Sequence, residues 1–203
     1  MQVNPSSVKA ESIRVLRTHF VTQHQTLGRR ALALCAPAKG AGCTFVAANL
    51  AVALAQVGLR TVLIDADINA GGADFPIKFD PSTRGLSDFL RSGDMTISQL
   101  TQPAGIENLF VIPCGAPPTR AEELLGKDQF RTLVMTCMRD FDITLIDTPP
   151  AGQYADVRRI ASIAGYAAIV ARKDQTLFKE VKTLTKELTL DRVEVIGAVF
   201  NES

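Results

Sequence analysis

Hydrophobic positions along the chain gather into short runs separated by longer segments of helical spacing. Ala31 to Ala36 is one such run, and Thr61-Val62-Leu63-Ile64, Leu109-Phe110-Val111-Ile112-Pro113, Ile143-Thr144-Leu145-Ile146, Ala167 to Val170 and Val193 to Phe200 are the others. Runs this short, dominated by apolar and β-branched residues, fit strands buried on both faces. After the first run, Thr44-Phe45-Val46-Ala47-Ala48-Asn49-Leu50-Ala51-Val52-Ala53-Leu54 reads as a helix rich in small residues that ends near Gly58. The alternation predicts an α/β fold, a mainly parallel sheet with helices on both faces. Ala70 to Thr83, with Gly71, Gly72, Pro76 and Pro81, reads as a loop, and Pro149-Pro150 is expected to end the fourth strand.

Composition narrows the class. At 203 residues, 46% hydrophobic and 21% charged, the chain suits one globular domain with a sizeable core. A formal net charge of +1 gives no basic domain, so no nucleic-acid partner is expected. Cys35, Cys43, Cys114 and Cys137 form no Cys-x-x-Cys pair, and neither a signal-peptide pattern nor a bilayer-length apolar run is present. These features predict a cytoplasmic protein. His19 and His24 have no second ligand at metal spacing.

The candidate chemistry lies between the first strand and its helix, at Ala36-Pro37-Ala38-Lys39-Gly40-Ala41-Gly42-Cys43-Thr44. A strand, a glycine loop and a helix form the context of a phosphate-binding loop, which normally ends Gly-Lys-Thr. Its lysine reaches the β- and γ-phosphates, and its Thr hydroxyl holds Mg²⁺. Here Cys43 stands in the lysine position. Asp65 and Asp67 follow the second strand and Asp147 the fourth, at the edge where open α/β sheets bind ligands. Either strand-end carboxylate alone fits a turn or a helix cap. With the glycine loop, in this order, they predict a nucleotide site for ATP or ADP with Mg²⁺. Thr44, Asp65, Asp67 and Asp147 are its metal candidates, and Lys39, Gly40, Ala41, Gly42, Cys43, Thr44 and Phe45 its nucleotide-contacting residues.

Two questions stay open at this level. Cys43, at a helix N-terminus, is either a thiol of lowered pKa through which oxidation tunes nucleotide occupancy, or a small neutral residue filling the lysine site. Lys39, four residues earlier, either folds its flexible stem back over the phosphates or faces solvent.

The motifs resemble the bacterial tyrosine kinases of capsule and exopolysaccharide synthesis, relatives of the MinD/ParA group of P-loop ATPases. The resemblance covers nearly the whole chain. It rests on Glu11-Ser12-Ile13-Arg14-Val15-Leu16-Arg17-Thr18, on the loop and its helix, and on Val62-Leu63-Ile64-Asp65-Ala66-Asp67. It continues through Gly85-Leu86-Ser87-Asp88-Phe89-Leu90, Asn108 to Gly115, Ala121-Glu122-Glu123-Leu124-Leu125 and Ile146-Asp147-Thr148-Pro149-Pro150. It implies that Asp65 is a catalytic carboxylate acting on a tyrosine hydroxyl and the metal shell, that Asp67 organises Mg²⁺, and that Asp147 is the Walker B carboxylate. It places Asn201 near the adenine, although an Asn ending a strand also fits a turn. It divides the chain into an N-terminal helical segment, residues 1–28, and a P-loop domain, residues 29–203. Glu11, Arg14 and Arg17 would join neighbouring subunits into a ring, whereas the spacing alone fits an intrahelical i,i+3 ladder. A transmembrane polysaccharide co-polymerase is the implied partner, holding the protein at the inner face of the membrane.

The departures from the family pattern are as informative. Cys43 removes the loop cation, and Asn69 stands where the family's Asp-x-Asp-x-Arg motif has arginine. The MinD/ParA signature lysine would fall at Ala38, one residue from Lys39. The family's C-terminal tyrosine cluster has no counterpart, since Tyr154 and Tyr166 are the only tyrosines. The expectation is a catalytically impaired regulatory or scaffolding partner in exopolysaccharide assembly. The alternatives are an active tyrosine kinase or weak ATPase of that pathway, and a MinD/ParA-type positioning ATPase.

Overall fold

The structure is a computed structural model that describes residues 8–72, 75, 77, 83–118 and 124–202. Part of the expected loop 70–83, residues 121–123 of the Ala121–Leu125 motif, residues 1–7 of the N-terminal segment and Ser203 lie outside the described residues. The elements run α1 (Val8–Leu27), β1 (Ala31–Ala36), α2 (Cys43–Ala55), β2 (Thr61–Asp65), α3 (Leu86–Ser92) and α4 (Ile97–Leu100). There follow β3 (Gln102–Pro103), β4 (Leu109–Ile112), α5 (Asp128–Asp140), β5 (Ile143–Pro150), α6 (Asp156–Ala164), β6 (Tyr166–Arg172), α7 (Phe178–Leu190) and β7 (Glu194–Asn201).

The six expected strands and a seventh, β3, form one sheet of order β3-β4-β2-β5-β1-β6-β7, parallel except for β3. Two-residue β3 is too short to leave a hydrophobic signature, and it pairs antiparallel with β4 at one edge. Strand side chains alternate between faces. Leu32, Leu34, Leu63, Leu145 and Val170 therefore join one core layer with α2, while Ala33, Val62, Ile64, Ile146 and Ile169 join the layer under α5, α6 and α7. Ala47, Ala48 and Ala51 are buried, and small residues there let the α2 backbone lie close to the sheet. Phe20, fully buried, carries α1 onto that same layer.

One expectation is corrected. Pro149-Pro150 does not end the strand, because β5 continues to Pro150 and pairs it with Ala36 after a register shift. Proline lacks an N–H, but β2 stops opposite Asp147, so nothing on that side requires a donor from the prolines. Their carbonyls remain in use: the Thr148 hydroxyl donates to Pro149 O, and the Gln153 and Tyr154 N–H groups donate to Pro150 O.

Leu50 is fully buried between α2 and the sheet. Leu50→Ala is expected to lower unfolding free energy by about 2–5 kcal/mol in urea titration, with the spread set by how far the small-residue helix can settle into the cavity.

Candidate functional site

The fold brings the loop, the ends of β2 and β5 and the first turn of α2 to one place. Between β1 and α2 the backbone takes left-handed conformations at Gly40, φ 84°, and at Gly42, φ 87°, which caps the helix. The first turn of α2 contains no acidic residue, so the helix's own sequence leaves its N-terminal N–H groups and positive dipole end uncompensated. A cavity of about 280 Å³ opens there, lined by Ala38, the loop from Lys39 to Phe45, Asp65, Asp67, Gly72, Phe75 and Thr148. This is the anion-binding geometry that the glycine spacing predicts.

The loop is held from behind by the ends of β6 and β7. Arg172 Nη1 donates to Gly40 O at 3.1 Å, and Asn201 Nδ2 donates to Ala41 O at 3.1 Å. A Cβ added at Gly42 would lie 2.1 Å from Asn201 Nδ2, so the glycine is required both by its φ and by the asparagine over it. Asn201 thus touches the loop backbone directly. Arg172 fastens the loop as well. Arg158 and Arg159 are engaged away from the loop, Arg158 on Asp191 at 2.6 and 2.7 Å and Arg159 on Gly126 O.

Strand period and register set the carboxylates. Asp65 and Asp147 are Cα partners across β2 and β5, and Leu34 of β1 is the partner of Asp147 on its other side. Asp147 is fully buried, and neither of its carboxylate oxygens completes a hydrogen bond. Burial pushes its pKa up to about 7, against the tempering effect of the nearby Thr44 hydroxyl and Cys43 thiol. Asp65 is also held well above the usual carboxylate range, first by burial and then by the charge of Asp147. The Cys114 thiol opposes this shift, and the Asp67 N–H donates to Asp65 Oδ1 at 3.2 Å. Asp67 is half-buried and faces the cavity.

A buried carboxylate with two unsatisfied oxygens beside a threonine hydroxyl suits a hard divalent cation, and Thr44, Asp67 and Asp147 fit Mg²⁺. Among the described residues, no three His, Cys, Asp or Glu side chains form a ready metal cage. Mg²⁺ takes one or two protein carboxylates and fills its shell with water and phosphate oxygens.

The Cys43 thiol donates to Leu34 O at 3.0 Å, a carbonyl that also accepts the Thr148 hydroxyl at 2.8 Å. Burial raises the Cys43 pKa well above the ordinary thiol value, and the charge of Asp147 raises it further. Of the two readings of Cys43, the small neutral residue is the one this environment favours, since burial outweighs the lowering by the helix N-terminus. Lys39 is exposed and, among the described residues, is the only basic one lining the cavity. Asn69 is half-buried on the turn after Asp67. On α1, Arg14 pairs with Glu11 at 2.8 Å within the helix, and Arg17 is half-buried beside them.

Comparison with known proteins places this geometry in context. The AAA domain family matches residues 30–190. Tyrosine-protein kinase wzc of Salmonella typhimurium is 32% identical over 198 residues, covering 98% of this chain and 27% of the relative, so the chain spans about a quarter of that protein's length. The kinase domain of the Escherichia coli tyrosine kinase ETK superposes with a TM-score of 0.90 at 28% identity, covering 98% of this chain and 77% of that one. The chimerical protein CapA2B2 superposes with a TM-score of 0.88 at 26% identity, over 98% and 87% of the two chains.

The contact between Gly42 and Asn201 is open to a double-mutant cycle. Gly42→Ala is expected to cost about 2 kcal/mol or more, from left-handed backbone strain and collision, and Asn201→Ala about 1 kcal/mol from the lost hydrogen bond. In the double variant the collision is gone, so the costs should fall short of additivity by about 1 kcal/mol in urea unfolding. Strict additivity would mean that the asparagine does not lie over the glycine.

Proposed function

The chain belongs to the AAA domain family, and on that premise we propose that it is a catalytically impaired relative of the bacterial tyrosine kinases that binds nucleotide and serves exopolysaccharide assembly through its contacts. The observation that carries this reading is the neutral Cys43 thiol, standing in the lysine's position and tied to the Leu34 carbonyl.

Phosphoryl transfer depends almost wholly on positioning and on electrostatic stabilisation of charge spreading over the phosphate oxygens. In this chain the loop backbone and the α2 N-terminus would bind the phosphates, Arg172 and Asn201 would keep the loop in shape, and Thr44, Asp67 and Asp147 would hold Mg²⁺. When bound, Mg²⁺ supplies positive charge to the phosphate oxygens. Asp65 would accept the proton of an attacking hydroxyl. The loop cation is missing from this set, and its loss costs several kcal/mol of transition-state stabilisation, about a hundredfold or more in rate. Binding is affected less, because the backbone cradle does not depend on a lysine.

The role then lies in partners. A transmembrane polysaccharide co-polymerase is the expected one, placing the protein at the inner face of the membrane. Subunits would associate through Glu11, Arg14 and Arg17, the intrahelical Glu11–Arg14 pair opening to reach a neighbour. A second reading, a weak ATPase or kinase, is favoured by the retention of Thr44, Asp65 and Asp67 around one cavity, with Asp147 buried beside Thr44 and Lys39 at the rim.

ATP hydrolysis and transfer of the γ-phosphate to a tyrosine peptide distinguish the two. The parent is expected at background, Cys43→Ala is expected to match it, and Cys43→Lys is expected to rise by about a hundredfold. Turnover by the parent that equals Cys43→Lys and collapses in Lys39→Ala would establish the second reading instead.

A further inference from the structure

Four of the chain's eight lysines, Lys173, Lys179, Lys182 and Lys186, fall within fourteen residues near its end. Three of them lie on α7. That helix turns Leu184 and Leu188 into the core, and a 3.6-residue period sets the i, i+3, i+7 series Lys179, Lys182 and Lys186 on the opposite side. All three are exposed, and none makes a hydrogen bond or ion pair among the described residues. Apolar side chains stand at both ends of this stripe, Leu177 65% and Phe178 80% exposed at one end and Leu190 70% exposed at the other. The acidic residues of the helix lie off the stripe. Glu180 accepts the Leu177 N–H at the helix start, and Glu187 is half-buried on the flank.

We infer that the outward face of α7 docks on an anionic lipid bilayer, with its lysines over the headgroups and Leu177, Phe178 and Leu190 entering the interfacial layer. Three observations favour a bilayer over an acidic protein. Cores of protein interfaces are depleted in lysine and enriched in arginine, yet this face is entirely lysine in a chain with fourteen arginines. Lysine's compact ammonium on a long stem suits nonspecific attraction to a charged plane, whereas arginine's planar fork suits defined partners. Large apolar side chains exposed beside such lysines are the pattern of helices that lie in a membrane interface, and no described helix is long and apolar enough to cross one. The attraction is local, because the formal net charge of the whole chain is only +1. This surface does not depend on nucleotide binding.

Co-sedimentation of the whole chain with vesicles tests the inference. The parent is expected to pellet with vesicles of phosphatidylcholine mixed with phosphatidylserine, not with phosphatidylcholine alone, and to be released near 1 M salt, where the screening length is about 3 Å. Replacing Lys179, Lys182 and Lys186 together with Gln should weaken partitioning about a hundredfold, roughly fivefold per lysine, with no change in melting temperature. Phe178→Ser should weaken it while leaving the salt dependence intact. Failure of the parent to pellet, equal pelleting with neutral vesicles, or equal binding by the triple variant would overturn the inference. So would capture by soluble polyglutamate or duplex DNA without vesicle binding, which would assign the face to an acidic macromolecule.

Discussion

The site depends on the parallel register of three central strands. Leu34, Asp147 and Asp65 are neighbours across β1, β5 and β2, and each strand's two-residue period turns that position toward the α2 layer. The loop after β1 and the first turn of α2 are thereby set above two carboxylates and one backbone carbonyl. A one-residue slip of β5 would send Asp147 to the opposite face, so the hydrophobic pattern that fixes the core also fixes the site. The same register gives Cys43 its partner, since the Leu34 carbonyl it reaches lies where the β1–β5 pairing shifts.

The electrostatic balance of the site follows from that placement. Asp147 and Asp65 are buried side by side and both are pushed toward protonation, mainly by burial and in part by nearby carboxylate charge. A loop lysine and a divalent cation are the usual sources of opposing charge; here only the cation's donors remain, with Lys39 at the rim. The thiol follows the same logic: a helix N-terminus would stabilise a thiolate, but burial and the negative charge of Asp147 exceed that effect.

Much of this was legible in the sequence. Short apolar runs alternating with a small-residue helix identify the doubly covered parallel sheet, and of the residues named from spacing the loop, Asp65 and Asp67 line one cavity, with Asp147 buried beside Asp65. What escaped depended on three-dimensional partners. β3 has only two residues, too few for periodicity, and Pro149-Pro150 reads as a strand end unless it is known that β2 has already stopped. Arg172 lies 132 positions from Gly40, and no local pattern announces that contact. The Cys43 state was open because sequence shows the helix N-terminus but not the depth of burial that overrides it.

The central claim is that the phosphate cradle survives while its cation does not. Calorimetric titration of ADP, with and without Mg²⁺, into the reduced parent, Asp147→Asn and Cys43→Lys tests it most directly. The account expects Mg²⁺-dependent binding by the parent, tighter binding by about tenfold or more in Cys43→Lys, and loss of the Mg²⁺ dependence in Asp147→Asn. Absence of binding in both the parent and Cys43→Lys would contradict it, because the loop would then be no cradle at all.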